Sequence, residues 1–248
     1  MSTNKEPSDQ GTSTEIEAKH PLQNRWALWY LKTEKDKDWE DCLKTEKDKD
    51  WEDCLKMLAL FDTVEDFWAL QNHIQSAGEL PRGSDYYMFK EGIRPMWEDV
   101  NNVQGGRWII KKRISKTIHV KKRVIVTKGE PPETRKKNLD HLWLELLLAI
   151  VGEQFEDYGE FICGAALNVR GKGDKVSLWT RDATKDDVNL RIGQIMKEKL
   201  SIPDSDTLIY AVNKDSSIRT SSVVKPRISI PAKEVGKDGI TNSPTSDQ

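Results

Sequence analysis

The chain has 248 residues, of which 32% are charged and 36% hydrophobic, with a net charge of −2. That length suits one domain with tails, and the near-neutral balance argues neither for nor against a nucleic-acid partner. No apolar run is long enough to span a bilayer, the N-terminus "MSTNKEPSDQGTSTEIEAK" has no apolar signal core, and three cysteines (Cys42, Cys54, Cys163) without metal-ligand spacing read as reduced intracellular thiols.

Residues 1–19 are polar and aperiodic and are expected to form a disordered tail. "NRWALWYL" (24–31) alternates as a strand, with Trp26, Leu28 and Tyr30 on one face and Ala27, Trp29 and Leu31 on the other. The string "LKTEKDKDWEDC" then appears twice, over 31–54, as an exposed loop. "CLKMLALFD" (54–62) reads as a second strand. Thr63, with Asp66 three residues on, caps a helix that Gly78 is expected to end. "SDYYMFKEGI" and "GGRWII" read as strands around a loop, "RPMWEDVNNVQ". Residues 138–155 form a helix apolar on most faces. "FICGAALNVR" and "KVSLWTRD" pair around "GKGD". Residues 186–200 form an amphipathic helix with Val188, Ile192, Ile195, Met196 and Leu200 on one stripe. "DTLIYAV" is a last strand, and the chain after about 213 reads as a loose tail. The pattern is α+β, with three helices on one face of a curved antiparallel sheet.

Motifs of catalysis are missing: there is no GxxxxGK[ST], GxGxxG or GxSxG, and the histidines at 20, 73, 119 and 141 show no metal-ligand pairing. Binding is the better reading, without metal or cofactor. Nine tryptophans are present, and three sit in polar company: Trp39 and Trp51 in "KDWEDC", and Trp97 in "PMWED". Such residues either tuck against a core or offer stacking platforms. Two indoles on loops at one end of a sheet could sandwich a flat ring, while Glu98 accepts both Watson–Crick N–H donors of a guanine. Methylation at position 7 makes that ring cationic and adds a cation–π contribution of about 0.5–2 kcal/mol per face. Base stacking adds roughly 1–3 kcal/mol per contact. Arg107, Arg170, Lys172 and Lys175 form either an ordinary basic hairpin or a set of charges matched to phosphates.

The strings "HPLQNRWALWY", "FDTVEDFWAL", "GIRPMWED", "GGRW", "WLELLLAIVGE", "CGAALNVRGKGDKVSLWT" and "IGQIMKEKL" resemble the eukaryotic translation initiation factor 4E family over residues 20–230. The resemblance implies an eight-stranded curved sheet backed by three helices, with a 7-methylguanosine cap on its concave face. By motif, Trp97 stacks, Glu98 reads the guanine edge, Arg170 and Lys175 hold phosphates with Arg107 helping through water, and Trp179 lies against the 7-methyl group. It also implies a convex surface for a scaffold factor of the 4G type, or competing binding proteins, that dock a Tyr-x4-Leu-apolar helix. On this chain that surface is His20, Pro21, Val64, Trp68, Leu144, Glu145 and Leu148. Ser222 matches, loosely, a serine the family phosphorylates. The implied setting is a cytoplasmic monomer, with a nuclear pool compatible.

Two departures stand out. Trp39 lies at the family's spacing from Trp29 and Trp51 at its spacing to Trp68, so each copy of the repeat satisfies one flank. The simplest account is a tandem copy of one loop segment. Trp51, four residues before the strand at Leu55, is the favoured stacking residue, and Trp39 remains the alternative. Second, a basic segment over about 111–137, from Lys111 to Lys137, lengthens the path between Trp108 and Trp143. It reads as an elongated hairpin or retained intron, or as an added RNA-backbone contact, and it puts the strand after Trp108 in doubt. The expected function is recruitment of capped messenger RNA to a scaffold for translation initiation; the alternative is a cap-binding repressor that does not engage the scaffold.

Overall fold

The computed structural model describes residues 18–32, 54–112, 117–120, 123–126, 131–171, 173–214 and 226–231. The strands are β1 (Pro21–Lys32), β2 (Leu55–Thr63), β3 (Ser84–Lys90), β4 (Gly106–Lys112), β5 (Thr117–Val120), β6 (Arg123–Val126), β7 (Ile162–Asn168), β8 (Asp174–Thr180), β9 (Leu208–Val212) and β10 (Ile228–Ile230). The helices are α1 (Val64–His73), α2 (Pro132–Val151) and α3 (Asp186–Lys199). Eight strands form one antiparallel sheet, the number expected, in the order β10-β9-β4-β8-β7-β3-β1-β2.

Alternation along each strand divides the sheet into two apolar clusters. The larger joins Trp26, Leu28, Tyr86, Met88, Trp108, Ile110, Leu167, Leu178 and Tyr210 to the inner faces of the helices. The smaller, on the opposite face, holds Leu31, Leu55, Tyr87, Phe89, Ile93, Cys163, Ala166 and Trp179, with Trp29 at its margin. β1 thus splits as its sequence alternates, with Trp26 and Leu28 to one side and Trp29 and Leu31 to the other.

At α1, Thr63 Oγ1 accepts from the Asp66 backbone N–H at 3.2 Å and its hydroxyl donates to Asp66 Oδ2 at 2.7 Å. The acid thus holds the capping hydroxyl itself, and the reciprocal bond of a full capping box, to the Thr63 backbone N–H, is not among these two. The helix does not run to Gly78: it ends at His73, and Gly78 sits in a one-turn 3-10 segment, Ala77–Glu79. A Cβ at Gly78 would lie 2.6 Å from the Lys136 carbonyl oxygen, so this glycine serves close packing against α2 and not helix termination. Its N–H donates to Asp140 on the same helix at 2.6 Å.

Helix α2 starts at Pro132, six residues before its expected beginning, because proline at the first position suits a helix start. Arg135, Lys136 and Lys137, assigned by sequence to the basic insertion, belong to this helix. The rest of that segment includes a separate antiparallel hairpin, β5–β6, with Val120 opposite Arg123. β4 nonetheless runs unbroken to Lys112, so the strand after Trp108 is intact. The chain beyond 213 is not all tail: β10 pairs with β9, Ile228 opposite Tyr210. Arg227 fixes it, donating through Nε and Nη2 to the Asp186 carboxylate at 2.6 and 3.0 Å.

Candidate functional site

The face of the sheet away from the helices carries one row of residues in register across six strands. Lys111 on β4 faces Lys175 on β8, which faces Asn168 on β7, then Asp85 on β3, Leu31 on β1 and Leu55 on β2. Residues opposite one another in antiparallel strands share a face, so this row lines a single surface. Four residues before Lys111, and therefore on the same face, Arg107 pairs with Trp179. Its guanidinium lies 4.9 Å from the Trp179 ring centroid, a cation–π contact. Burial, the main cause, lowers the Arg107 pKa below its usual value.

The cations differ in how they are held. Arg170 is clamped by the buried Asp85: Nη1 donates to Oδ1 at 2.5 Å and Nη2 to Oδ2 at 2.9 Å. Burial works against its charge, but the Asp85 contact outweighs it and the pKa rises. Asp174, also buried, accepts the Arg170 backbone N–H at 3.1 Å and both Nε and Nη2 of Arg135, at 2.5 and 2.8 Å. A chain of alternating charge therefore pins the start of the β7–β8 turn. Among the described residues Lys175 has no such partner. Desolvation, then the charges of Lys111, Arg107 and Arg170, push its pKa below the usual lysine value, with Asp85 opposing.

Trp97 and Glu98 lie on the loop between β3 and β4, where both are exposed, Trp97 by 37%. Side-chain amides and one acid make this loop rigid. Asp99 accepts from the backbone N–H of Arg94 at 3.0 Å and of Asn101 at 2.8 Å. The buried Asn102 donates to the carbonyls of Arg94 and Met96, at 2.9 and 2.8 Å. Asn213 donates to the Asn102 carbonyl at 2.9 Å and accepts from Arg107 Nη1 at 3.1 Å. The loop bearing Trp97 is thus tied, through two asparagines, to the arginine that covers Trp179. Ile93 joins the smaller cluster, and the Cys163 thiol, buried and pushed up to about 11, donates to the Asn101 carbonyl at 3.5 Å. At the loop's end Gly105 admits the Thr180 carbonyl, which would stand 1.9 Å from any Cβ there.

One expectation needs correcting. The two tryptophan-bearing loops do not leave from one end of the sheet. Lys32, where β1 ends, pairs with Ser84 at the start of β3, whereas Lys90 at the end of β3 pairs with Trp26. Antiparallel pairing forces this: the β1–β2 and β3–β4 connections emerge at opposite ends, with the row of cations and tryptophan between them. Trp39, Trp51, Lys172 and Ser222 lie outside the described residues. Sequence reasoning missed Asp85, Asn102 and Asn213 and named Lys111 only as part of the basic insertion; for Asp85 a signal existed, since an acid at an inward position of "SDYYMF" demands a cation.

On the other face, β1 begins beside α1. His20 donates its backbone N–H to Glu65 Oε2 at 2.9 Å, and its Nδ1 lies 2.6 Å from Glu65 Oε1. The Val64 N–H donates to the His20 carbonyl at 2.9 Å. Val64 and Trp68 are 38% and 41% exposed, and Leu144, Glu145 and Leu148 on α2 are half-buried. Pro21 pairs with Thr63. Among the described residues no cluster of three or more His, Cys, Asp or Glu could hold a metal, and no helix is long and apolar enough to cross a membrane.

The sequence model of the family described as eukaryotic initiation factor 4E matches residues 21–227. Translation initiation factor 4E-3 of Caenorhabditis elegans is 63% identical over 227 residues, covering 92% of this chain and 80% of the relative. The structure of that nematode factor with the 4E-binding protein Mextli and a cap analogue matches with a TM-score of 0.65 at 60% identity, over 86% of this chain and 99% of that one. Factor 4E-3 of Ascaris suum, solved with an m7G cap and with an m2,2,7G cap, matches with a TM-score of 0.67 at 57% identity, over 87% of this chain and 100% of that one. This chain belongs to the eukaryotic initiation factor 4E family.

Proposed function

We propose that the chain binds the 7-methylguanosine cap of messenger RNA on the face that carries Trp179 and delivers it, through a protein docked on the helix side, to translation initiation in the cytoplasm. The reading rests on one observation above the others. A loop presenting Trp97 and Glu98 is hydrogen-bonded through Asn102 and Asn213 to Arg107, which shares its face of the sheet with Lys175, a lysine in no ion pair among the described residues. An indole, a carboxylate and free cations are what a cationic purine linked to phosphates requires. Trp97 stacks on the base, Trp51 closes its other side with Trp39 as the alternative, and Glu98 accepts the base's edge donors. Trp179 borders the methyl group, and Arg107, Arg170, Lys172 and Lys175 meet the phosphates. Arg170 comes pre-oriented by Asp85, so little of its side-chain freedom is lost on binding. The chain acts by binding, with no catalysed step, metal or cofactor.

The cap-bound structures of the nematode relatives support this reading, and the Ascaris pair supports admission of both cap forms. A dimethylated N2 leaves Glu98 one donor instead of two, so the m2,2,7G form binds more weakly here. The complexes of relatives with Mextli and with 4E-BP support a helix-docking surface at His20, Pro21, Val64, Trp68, Leu144, Glu145 and Leu148. Retention on immobilised 7-methyl-GTP, with a Tyr-x4-Leu-apolar peptide added, tests both surfaces at once. Trp68→Ala should lose the peptide and keep the cap. A chain held by cap but unable to retain the peptide even when unaltered would be a cap-binding repressor that bypasses the scaffold.

A further inference from the structure

The geometry points to Lys111 as an additional RNA-binding residue that holds the phosphodiester following the cap, an inference that rests on the cap-binding reading. Lys111 is exposed on β4 directly opposite Lys175 on β8, in the row that also contains Asp85. Like charges facing each other across a strand pair are destabilising, so such a pair needs an outside anion to account for it. Asp85, the acid in this row, is taken by Arg170 through two hydrogen bonds, and Asp174, next to Lys175 in β8 but on the helix side of the sheet, is taken by Arg135 through two more. Among the described residues neither Lys111 nor Lys175 makes a side-chain hydrogen bond or ion pair.

Position along the strand separates the roles. Arg107 lies over Trp179, next to the base site, and Lys111 follows it on the same face four residues later, roughly 13 Å farther along β4. Lys111 stands level with Lys175 but one strand farther from β7 and Arg170, so it is the outermost of these cations across the sheet. It is placed for phosphate beyond the cap's own bridge, not for the cap. It is also the first lysine of the basic stretch that separates β4 from α2.

The test compares Lys111→Gln with the unaltered chain by tryptophan quenching, using 7-methyl-GTP and a capped tetranucleotide over a series of salt concentrations. Lys111→Gln should bind the capped tetranucleotide about three- to tenfold more weakly while 7-methyl-GTP affinity changes by less than twofold. The slope of log affinity against log salt for the tetranucleotide should fall by about one, and Lys111→Arg should restore it. Equal losses for both ligands, or an unchanged slope, overturn the inference while leaving the cap site standing. Failure of the unaltered chain to bind 7-methyl-GTP overturns the cap-binding reading itself, and this inference with it. Circular dichroism of both variants should match the parent, since the side chain is exposed.

Discussion

Trp108 and Trp179 sit on neighbouring strands of one sheet and face opposite ways. Trp108 is fully buried under α3, its Nε1 donates to the Asn189 carbonyl at 2.8 Å, and its ring packs 5.3 Å from that of Tyr210. Trp179 is nearly as buried, but its neighbour is the Arg107 guanidinium. An indole nitrogen without a partner among the described residues, which Trp179 shares with Trp26 and Trp143 on the helix side, marks neither face, and burial does not separate the two. The charge above the ring does. One face of the sheet was closed by helices and spends its tryptophans on packing. The other gathers a small apolar floor and sets Arg107, Lys111 and Lys175 on it, while Asp85 in the same row is already paired with Arg170, so positive charge is left over for an incoming anion.

This contrast can be broken by substitutions whose effects should fall on different observables. The largest is Trp108→Ala, which should lower unfolding free energy by about 3–5 kcal/mol in urea while the folded fraction still binds cap. Loss of cap binding without loss of stability would mean that the helix face belongs to the site. Next, Trp97→Ala should leave the urea midpoint unchanged, because the ring is exposed. It should weaken 7-methyl-GTP binding by about 2–4 kcal/mol, the combined stacking and cation–π contributions. The smallest is Asn213→Ala. It removes the donor to the buried Asn102 carbonyl and the acceptor for Arg107, at a stability cost of about 1–3 kcal/mol. Because it also uncouples the Trp97 loop from Arg107, cap affinity should fall modestly with it. Unchanged affinity would show that the asparagine bridge supports the loop's fold but not its binding geometry.

How much of this was legible beforehand follows from the range of the interactions. The two faces of β1 could be read from "NRWALWYL", because period-two alternation is local. The Thr63 cap could be read because it spans three residues. Trp97, Glu98, Arg107, Arg170 and Lys175 were legible as residue types suited to a charged aromatic ligand, and the family strings gave them roles. Whatever depended on distant pairing was not legible. The Gly78 contact needs α2, the clamp of Arg170 needs Asp85 from 85 residues away, and the bridge from Arg107 to Asn213 spans 106 positions. The two tryptophan loops were placed at one end because strand order was unknown when only strand count could be inferred. The β10 strand was missed because three residues carry too little pattern to stand out from a polar tail.

The central claim is that this face recognises positive charge on a purine flanked by an indole and an acid. It is tested most directly by titrating the chain with 7-methyl-GTP and with GTP while following tryptophan fluorescence. The account predicts strong quenching by the methylated nucleotide and an affinity at least about tenfold above that for GTP, the difference a cation–π contribution supplies. Equal quenching and equal affinity for the two nucleotides would contradict it.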